Sequence, residues 1–262
     1  MSDGTGDRSW WWTVVALLGT LLAGFYLLPL AALFLGQPPG AVLASLRDPF
    51  VVAAARTTVL GAAVSTAAAA LLGVPLGYAL ARWSFRGRTV LTAVVAFPLV
   101  LPPVVSGMLL LSVFGESGIG GLLGAPIGRT FAGVVLAQTF VASPFVVFSA
   151  RSAFERVDRE LEEVAWTLGV SEWATFRRVT LPLSRRGILA GVTLAFARAA
   201  GEFGATLMLA YHPRTLPVQI WVAFQGGGVD AAFPVAVVLV VVALAALVAI
   251  NSLGGSRLLG GG

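Results

Sequence analysis

The sequence predicts an all-α, polytopic membrane protein with six transmembrane helices. Three observations predict it. Of the 262 residues, 58% are hydrophobic and only 11% charged, against roughly 45–50% apolar in soluble domains. Six windows carry the run of about 20 mainly apolar residues that a spanning helix needs. The basic residues lie almost entirely between those windows and fall unevenly on alternate sides.

In chain order the windows are Trp10–Leu35, Val51–Ala81, Val90–Phe114, Phe131–Ala150, Gly187–Tyr211 and Phe233–Asn251. The first is too long for the apolar stretch of a secretory signal. The leader before it, residues 1–9, sets Asp3 and Asp7 against a lone Arg8, so it reads as a span. Trp10, Trp11 and Trp12 at its entry, and Trp83 after the second window, suit the interfacial aromatic belt. The chain then divides into the leader, a six-helix domain over 10–252, and a flexible tail over 253–262 whose GGSRLLGGG has no apolar pattern.

Charge sets the orientation. With six spans, the N-terminus, the 2–3 link, the 4–5 link and the C-terminus share one side. That side holds twelve arginines: Arg8, Arg82, Arg86, Arg88, Arg151, Arg156, Arg159, Arg177, Arg178, Arg185, Arg186 and Arg257. The other side holds four: Arg47, Arg56, Arg129 and Arg214. The positive-inside rule makes the first side, and both termini, cytoplasmic. A basic balance of +5 could suggest nucleic acid. Arginines spaced between apolar spans are better explained by topology, so no nucleic-acid partner is expected.

Composition also excludes chemistries. All 17 basic residues are arginine. Without lysine there is no Walker A phosphate loop and no Schiff base. No cysteine is present, and His212 is the single histidine. Neither a thiol nucleophile nor a paired-histidine zinc site is therefore available. No catalytic residue, metal site or cofactor is expected in this chain.

The third window contains PLVLPPVVSG, with Pro98, Pro102 and Pro103. Proline removes a helix hydrogen bond and clashes one turn back, and in lipid the freed carbonyls must find partners. This helix is therefore expected to be broken and buried in protein. Pro102 and Pro103 either make a packing kink or line a pathway.

Residues 151–186 form a charge-dense cytoplasmic segment with seven arginines and six acids. Leu161, Val164, Ala165 and Leu168 share one face of an amphipathic helix. Asp158 suits its N-cap, and Gly169 the left-handed position that ends it. Ser171 caps a second helix with Glu172 in its first turn, and Leu181-Pro182 is expected to stop that helix. The product is a helical hairpin on the inner membrane face. Its apolar face, with Trp166 and Trp173, either rests on lipid and its own bundle or docks on a cytoplasmic partner.

The fifth window reads ARAAGEFGATLMLAY. Arg198 and Glu202 are i, i+4 neighbours and can neutralise each other on one helix face. The alternative is that Arg198 faces an anion path. Gly201 and Gly204 permit close helix contact. In the 5–6 link, His212–Ala232, His212 is taken as an exposed loop residue and Gly226-Gly227-Gly228 as a joint.

The hairpin resembles the EAA loop of binding-protein-dependent ABC importer permeases. That pattern is Glu-Ala-Ala, three residues, Gly, nine residues, Ile, one residue, Leu-Pro. Here it reads Glu163-Val164-Ala165, Gly169, Val179 and Leu181-Pro182. Every spacing holds, with Val164 for Ala and Val179 for Ile as mild departures. The resemblance implies the type I importer permease fold. It also implies that Glu163, Ala165, Gly169, Val179, Leu181 and Pro182 form a coupling element that enters a cleft on an ATP-binding subunit. ATP and magnesium then belong to that partner. Closure of the partner dimer would pull two such feet together and rock the bundles, a rigid-body form of alternating access.

PLVLPPVVSG (98–107), GEFGATLM (201–208) and RTLPVQIW (214–221) look like molybdate/tungstate permeases. The likeness runs from about Thr57 to Ala249. Sulfate/thiosulfate permeases are similar but usually differ at GEFGATLM. The resemblance implies a homodimer with two ATP-binding subunits, and an external oxyanion-binding protein that docks on the outer face, in a prokaryotic cell membrane. A gate is implied where the third and fifth helices of two copies meet. Two other classes fit less well. An intramembrane enzyme needs a nucleophile–base pair or metal cluster within the spans. An ion-coupled transporter would have Glu202 alone as its mid-membrane carboxylate and leaves the hairpin unexplained.

Overall fold

A computed structural model describes residues 6–124 and 126–253. The predicted leader lies partly, and the tail almost wholly, outside the described residues. Twelve helices, α1 to α12, follow in order: Gly6–Leu35, Pro39–Arg47, Pro49–Arg82, Arg88–Val100, Pro103–Phe114, Ile119–Leu122, Phe131–Glu155, Arg159–Thr167, Glu172–Thr175, Leu181–Ala200, Gly204–Leu209 and Leu216–Leu253. A five-residue π-helical turn, Phe176–Thr180, joins α9 to α10. No strand occurs among the described residues.

Five segments among the described residues are long and apolar enough to cross a membrane: Trp10–Leu35, Pro49–Arg82, Pro103–Leu122, Phe131–Glu155 and Leu216–Ala249. α10, the core of the fifth predicted span, is not among them; it carries Arg185, Arg186 and Arg198 in its 20 residues. It packs inside the bundle all the same, so the six-element plan is consistent with the structure.

The core is a three-helix stack of α3, α7 and α10. Ala62 and Ala69 of α3, Ala142 and Val146 of α7, and Ala195 and Ala199 of α10 are buried together. Small residues let the backbones approach, which drives helix association in lipid where no hydrophobic gain is available. A Cβ on Gly77 would meet the Ala150 Cβ and the Arg151 amide at 2.9 Å, and one on Gly191 would meet the Ser149 Cβ at 2.4 Å. At the other end of α3, Val51 and Ala54 pack on Leu216, Val235 and Val238 of α12. The Thr58 hydroxyl accepts from the Leu216 amide at 2.7 Å. In contrast, α1 leaves its apolar side chains exposed along its length.

The third predicted span is broken, as the prolines require, but contrary to expectation it is not buried within this chain: of α4 only Pro98 is buried, and of α5 only Ser106, Gly107 and Leu110. α4 ends at Val100, Leu101 and Pro102 are extended, and α5 starts at Pro103. The fifth window needs correction at both ends. α10 begins at Leu181 and stops at Ala200, and α11 is a separate short helix. The outer link is also corrected. Helix starts at Leu216, so most of the stretch read as a loop is helical up to a kink at Gly228 (φ 70°, ψ −157°). The three glycines are therefore a joint within α12.

The links assigned to one side do gather at one end of the bundle. Arg82 meets Glu162 there, and Arg88 and Arg151 both approach Glu155, at 3.8 and 2.8 Å. At the opposite end the Arg129 amide donates to the Leu209 carbonyl, and Arg214 donates to Gln219.

Candidate functional site

The helical hairpin predicted between the fourth and fifth spans exists. Asp158 Oδ1 accepts from the Glu160 amide at 3.1 Å and caps α8. Gly169 is left-handed (φ +79°), and its amide and that of Val170 close the turn on the Trp166 and Ala165 carbonyls. Ser171 Oγ accepts from the Ala174 amide at 3.4 Å and starts α9 with Glu172 in its first turn. A Cβ on Gly169 would meet nothing within 4 Å. The glycine answers a backbone need and leaves the corner bare.

Leu181-Pro182 does not stop the second helix, contrary to the sequence expectation. The chain stays helical from Phe176 into α10, with Leu181 itself helical at φ −65°. The Leu181 amide donates five residues back, to the Phe176 carbonyl. This widened turn relieves the clash that a proline ring makes with the carbonyl one turn earlier. The foot is thereby continuous with the membrane helix α10.

Glu162 anchors the foot. It is 3% exposed. Its Oε1 accepts from Arg82 Nη2 at 3.0 Å, from Arg82 Nε at 3.2 Å and from Thr180 Oγ1 at 2.6 Å. Arg82 Nη2 also donates to the Val157 carbonyl, and Arg159 donates back to the Arg82 carbonyl. One carboxylate thus ties α8 to the end of α3 and to the last residue of the π turn. Behind it Tyr78, Phe154 and Phe176 pack edge to face, with centroids 5.2 and 4.9 Å from Tyr78. Leu181 is packed against this group.

The predicted coupling residues divide in position. Glu163 is exposed, Ala165 and Val179 are half-buried, and Pro182 is exposed. The apolar face of α8 points away from the protein: Leu161, Val164 and Leu168 are exposed, as are Trp166 and Trp173. Burial thus falls on the polar Glu162. The motif reading chose Glu163 and passed over Glu162, Arg82 and Thr180. The available signal was an arginine ending the second span on the same side of the membrane plan as a run of two glutamates. A cleft of about 160 Å³ opens between the foot and α3, walled by Tyr78, Arg82, Trp83, Glu163, Trp166 and Glu172.

Inside the bundle, Arg198 and Glu202 pair as their spacing predicts, with Nη1 2.5 Å from Oε2. The contact is an ion pair without an aligned hydrogen bond on Oε2. Glu202 is fully buried, and its other oxygen accepts from the Ala205 amide at 2.8 Å, which caps α11. The pair therefore sits in the break between α10 and α11. The other break adjoins it. A Cβ on Gly204 would meet the Val104 amide at 2.8 Å and the Pro103 Cβ at 2.9 Å. One on Gly107 would meet the Met208 Cβ at 2.7 Å and Ala205 Cα at 2.8 Å. The structure so brings PPVVSG and GEFGATLM together, with Pro103 in the contact although both prolines are exposed.

His212 lies exposed beyond α11. Desolvation of its ring, and then the cations Arg214 and Arg129, lower its pKa below the usual histidine value. Among the described residues no cluster of three His, Asp or Glu side chains could hold a metal ion.

Comparison with known proteins fits this geometry. The family model of the binding-protein-dependent transport system inner membrane component matches residues 73–254. A probable molybdenum ABC transporter permease protein of Haloferax volcanii is 55% identical over 244 residues, covering 93% of this chain and 91% of the relative. A molybdate/tungstate transport system permease protein of Thermococcus kodakarensis is 38% identical over 244 residues, 92% and 95% of the two chains. Among solved structures, a bacterial ABC transporter that imports the acidic polysaccharide alginate aligns with a TM-score of 0.73 at 16% identity, over 97% of this chain and 98% of that one. An inward-facing methionine ABC transporter aligns at 0.62 and 18% identity, over 79% and 93%.

Proposed function

This chain belongs to the family of binding-protein-dependent transport system inner membrane components, and on that premise we propose that it forms the membrane path of an ATP-driven importer of molybdate or tungstate. It is an integral membrane protein, and its relatives are permease proteins. The observation that carries the reading is the foot: α8 turns an apolar face, and the bare corner at Gly169, away from its own bundle. An exposed apolar face beside charged residues is suited to a protein groove.

The motor is separate. A chain without lysine has no phosphate loop of its own. ATP and magnesium are held by an ATP-binding subunit that receives Glu163, Ala165 and Gly169 of the foot. Two copies of this chain pair with two such subunits, and hydrolysis takes place there. Movement of α8 reaches the membrane through two routes: the buried Arg82–Glu162 contact into α3, and the unbroken helix from Val179 through Leu181 and Pro182 into α10. An external oxyanion-binding protein delivers substrate at the end where Arg129 and Arg214 lie. Both termini face the cytoplasm of a prokaryotic cell.

The choice of substrate is supported by the names of relatives that cover nearly the whole chain. Uptake of labelled molybdate by cells expressing the complete system tests it. Unlabelled tungstate should compete at equal concentration, and sulfate should not compete at a hundredfold excess. Equal competition by sulfate would make this a sulfate permease. No competition by any tetrahedral oxyanion would remove the substrate assignment altogether.

A further inference from the structure

Arg198 lies deep along α10. It is 12 residues, roughly 18 Å at 1.5 Å per residue, beyond Arg186 at the helix entry. That places it near the middle of a hydrocarbon core about 30 Å thick. Its partner Glu202 is fully buried, whereas the Arg198 side chain keeps 29% of its surface exposed. The exposure lies on one face of α10, where Leu183, Leu194, Ala197 and Gly201 are also uncovered. A guanidinium carries five donors in a planar fork. Nη1 is paired with Glu202 Oε2, and among the described residues no hydrogen bond to the Arg198 guanidinium is formed.

The placement of the pair is asymmetric. Glu202 is fixed twice, by Arg198 and by the Ala205 amide at the start of α11. Arg198 sits in the last turn of α10, where the helix end favours a cation. The carboxylate is thus an anchor behind the arginine, and the arginine has one side left over. A partly exposed charge at this depth is not tolerated against lipid tails; it faces protein or a wet path. Beyond the helix break, Met208 of α11 lies where a Cβ on Gly107 would touch it, and the next residue, Met108, lines a cleft of about 470 Å³ with Leu111, Ser112, Glu116 and Arg129.

We infer that Arg198 is an anion-binding position on the permeation face, where a tetrahedral dianion takes the free edge of the guanidinium while Glu202 holds the opposite edge. A planar fork suits the oxygens of such an anion better than a point charge does. Glu202 also limits the strength of the site: with its negative charge behind the arginine, a passing dianion is held briefly and then released. The inference rests on the oxyanion-import reading above and assigns one residue of its path.

The test uses the complete transporter in proteoliposomes, with molybdate as probe. Arg198→Gln should lower uptake at least tenfold. The decisive variant is the neutral double replacement Arg198→Gln with Glu202→Gln. If Arg198 binds the anion, the double variant stays at least tenfold low, and Arg198→Lys with native Glu202 keeps more uptake than either. If the arginine serves only to neutralise Glu202, the double variant returns to wild-type uptake, and the inference is overturned. Failure of both glutamine variants to co-purify with the ATP-binding subunit also overturns it, since the charge would then be needed by the fold. Absence of oxyanion uptake by the unmodified transporter is a different result: it removes the import reading itself, and this inference with it.

Discussion

Arg82 Nη2 lies 3.0 Å from Glu162 Oε1, with both side chains buried, and joins the end of the membrane-spanning α3 to the foot. Removing one partner of such a pair strands a buried charge, which costs about 3–5 kcal/mol, whereas an apolar replacement of both is far milder. Glu162→Ala should therefore lower the thermal unfolding temperature of the detergent-solubilised complex markedly. Adding Arg82→Met should restore much of the loss. Thr180→Val, which deletes one hydrogen bond to the same oxygen, should cost about 1–3 kcal/mol.

The exposed face of α8 makes the opposite prediction. Leu161, Val164 and Leu168 touch little in their own chain. Val164→Asp or Leu168→Glu should leave the unfolding temperature of the isolated permease nearly unchanged, since surface substitutions usually fall within about 0.5 kcal/mol. Recovery of the ATP-binding subunit in a pull-down should fall at least tenfold. Unchanged recovery would place the docking surface elsewhere.

Gly169 can be probed by conformation alone, because nothing crowds it. A left-handed L-residue costs about 1–2 kcal/mol, and asparagine tolerates the region best. Coupled uptake should therefore fall in the order Gly, Asn, Ala, Val. Gly169→Asp adds bulk and charge at the bare corner and should uncouple ATP hydrolysis from transport. Normal transport by the aspartate variant would contradict a docking role for the turn.

Gly107 and Gly204 fail for another reason. Their missing side chains let α5 and α11 touch at the two helix breaks. Gly107→Ala forces a Cβ to within 2.8 Å of Ala205 Cα, an overpacking that costs about 1–3 kcal/mol. A drop in thermal stability should follow even before assembly with partners. If Gly107→Ala is as stable as the native chain, the close approach of these helices is wrong.

Local signals in the sequence were readable where a few adjacent residues decide the geometry. Asp158, Gly169 and Ser171 each act within three residues of themselves, and each does what its type predicts. Pro102 and Pro103 break their helix for the same local reason. What escaped was tertiary. Glu162 and Glu163 are equivalent in composition, and Arg82, 80 residues away, and Thr180, 18 residues away, distinguish them. Leu181-Pro182 is a stop signal in isolation, but the packing of Leu181 beside Phe154 and Phe176 keeps the chain helical through a widened turn. The break at Gly201–Phe203 contains no proline, and the Glu202 carboxylate that stabilises it acts by capping a helix not visible as a separate unit. The first part of α12 was hidden by its glycines, which suggested a loop; burial of Leu216 and Val218 makes it helix-bearing core.

If force enters through the foot from a separate nucleotide-hydrolysing subunit, transport must depend on that subunit. Molybdate accumulation in proteoliposomes tests it most directly, with the ATP-binding subunit either present or omitted and ion gradients collapsed throughout. Accumulation should occur only with that subunit and hydrolysable ATP inside its reach, and should vanish when either is withheld. Accumulation by this chain without the subunit, or only when an ion gradient is imposed, would contradict the account.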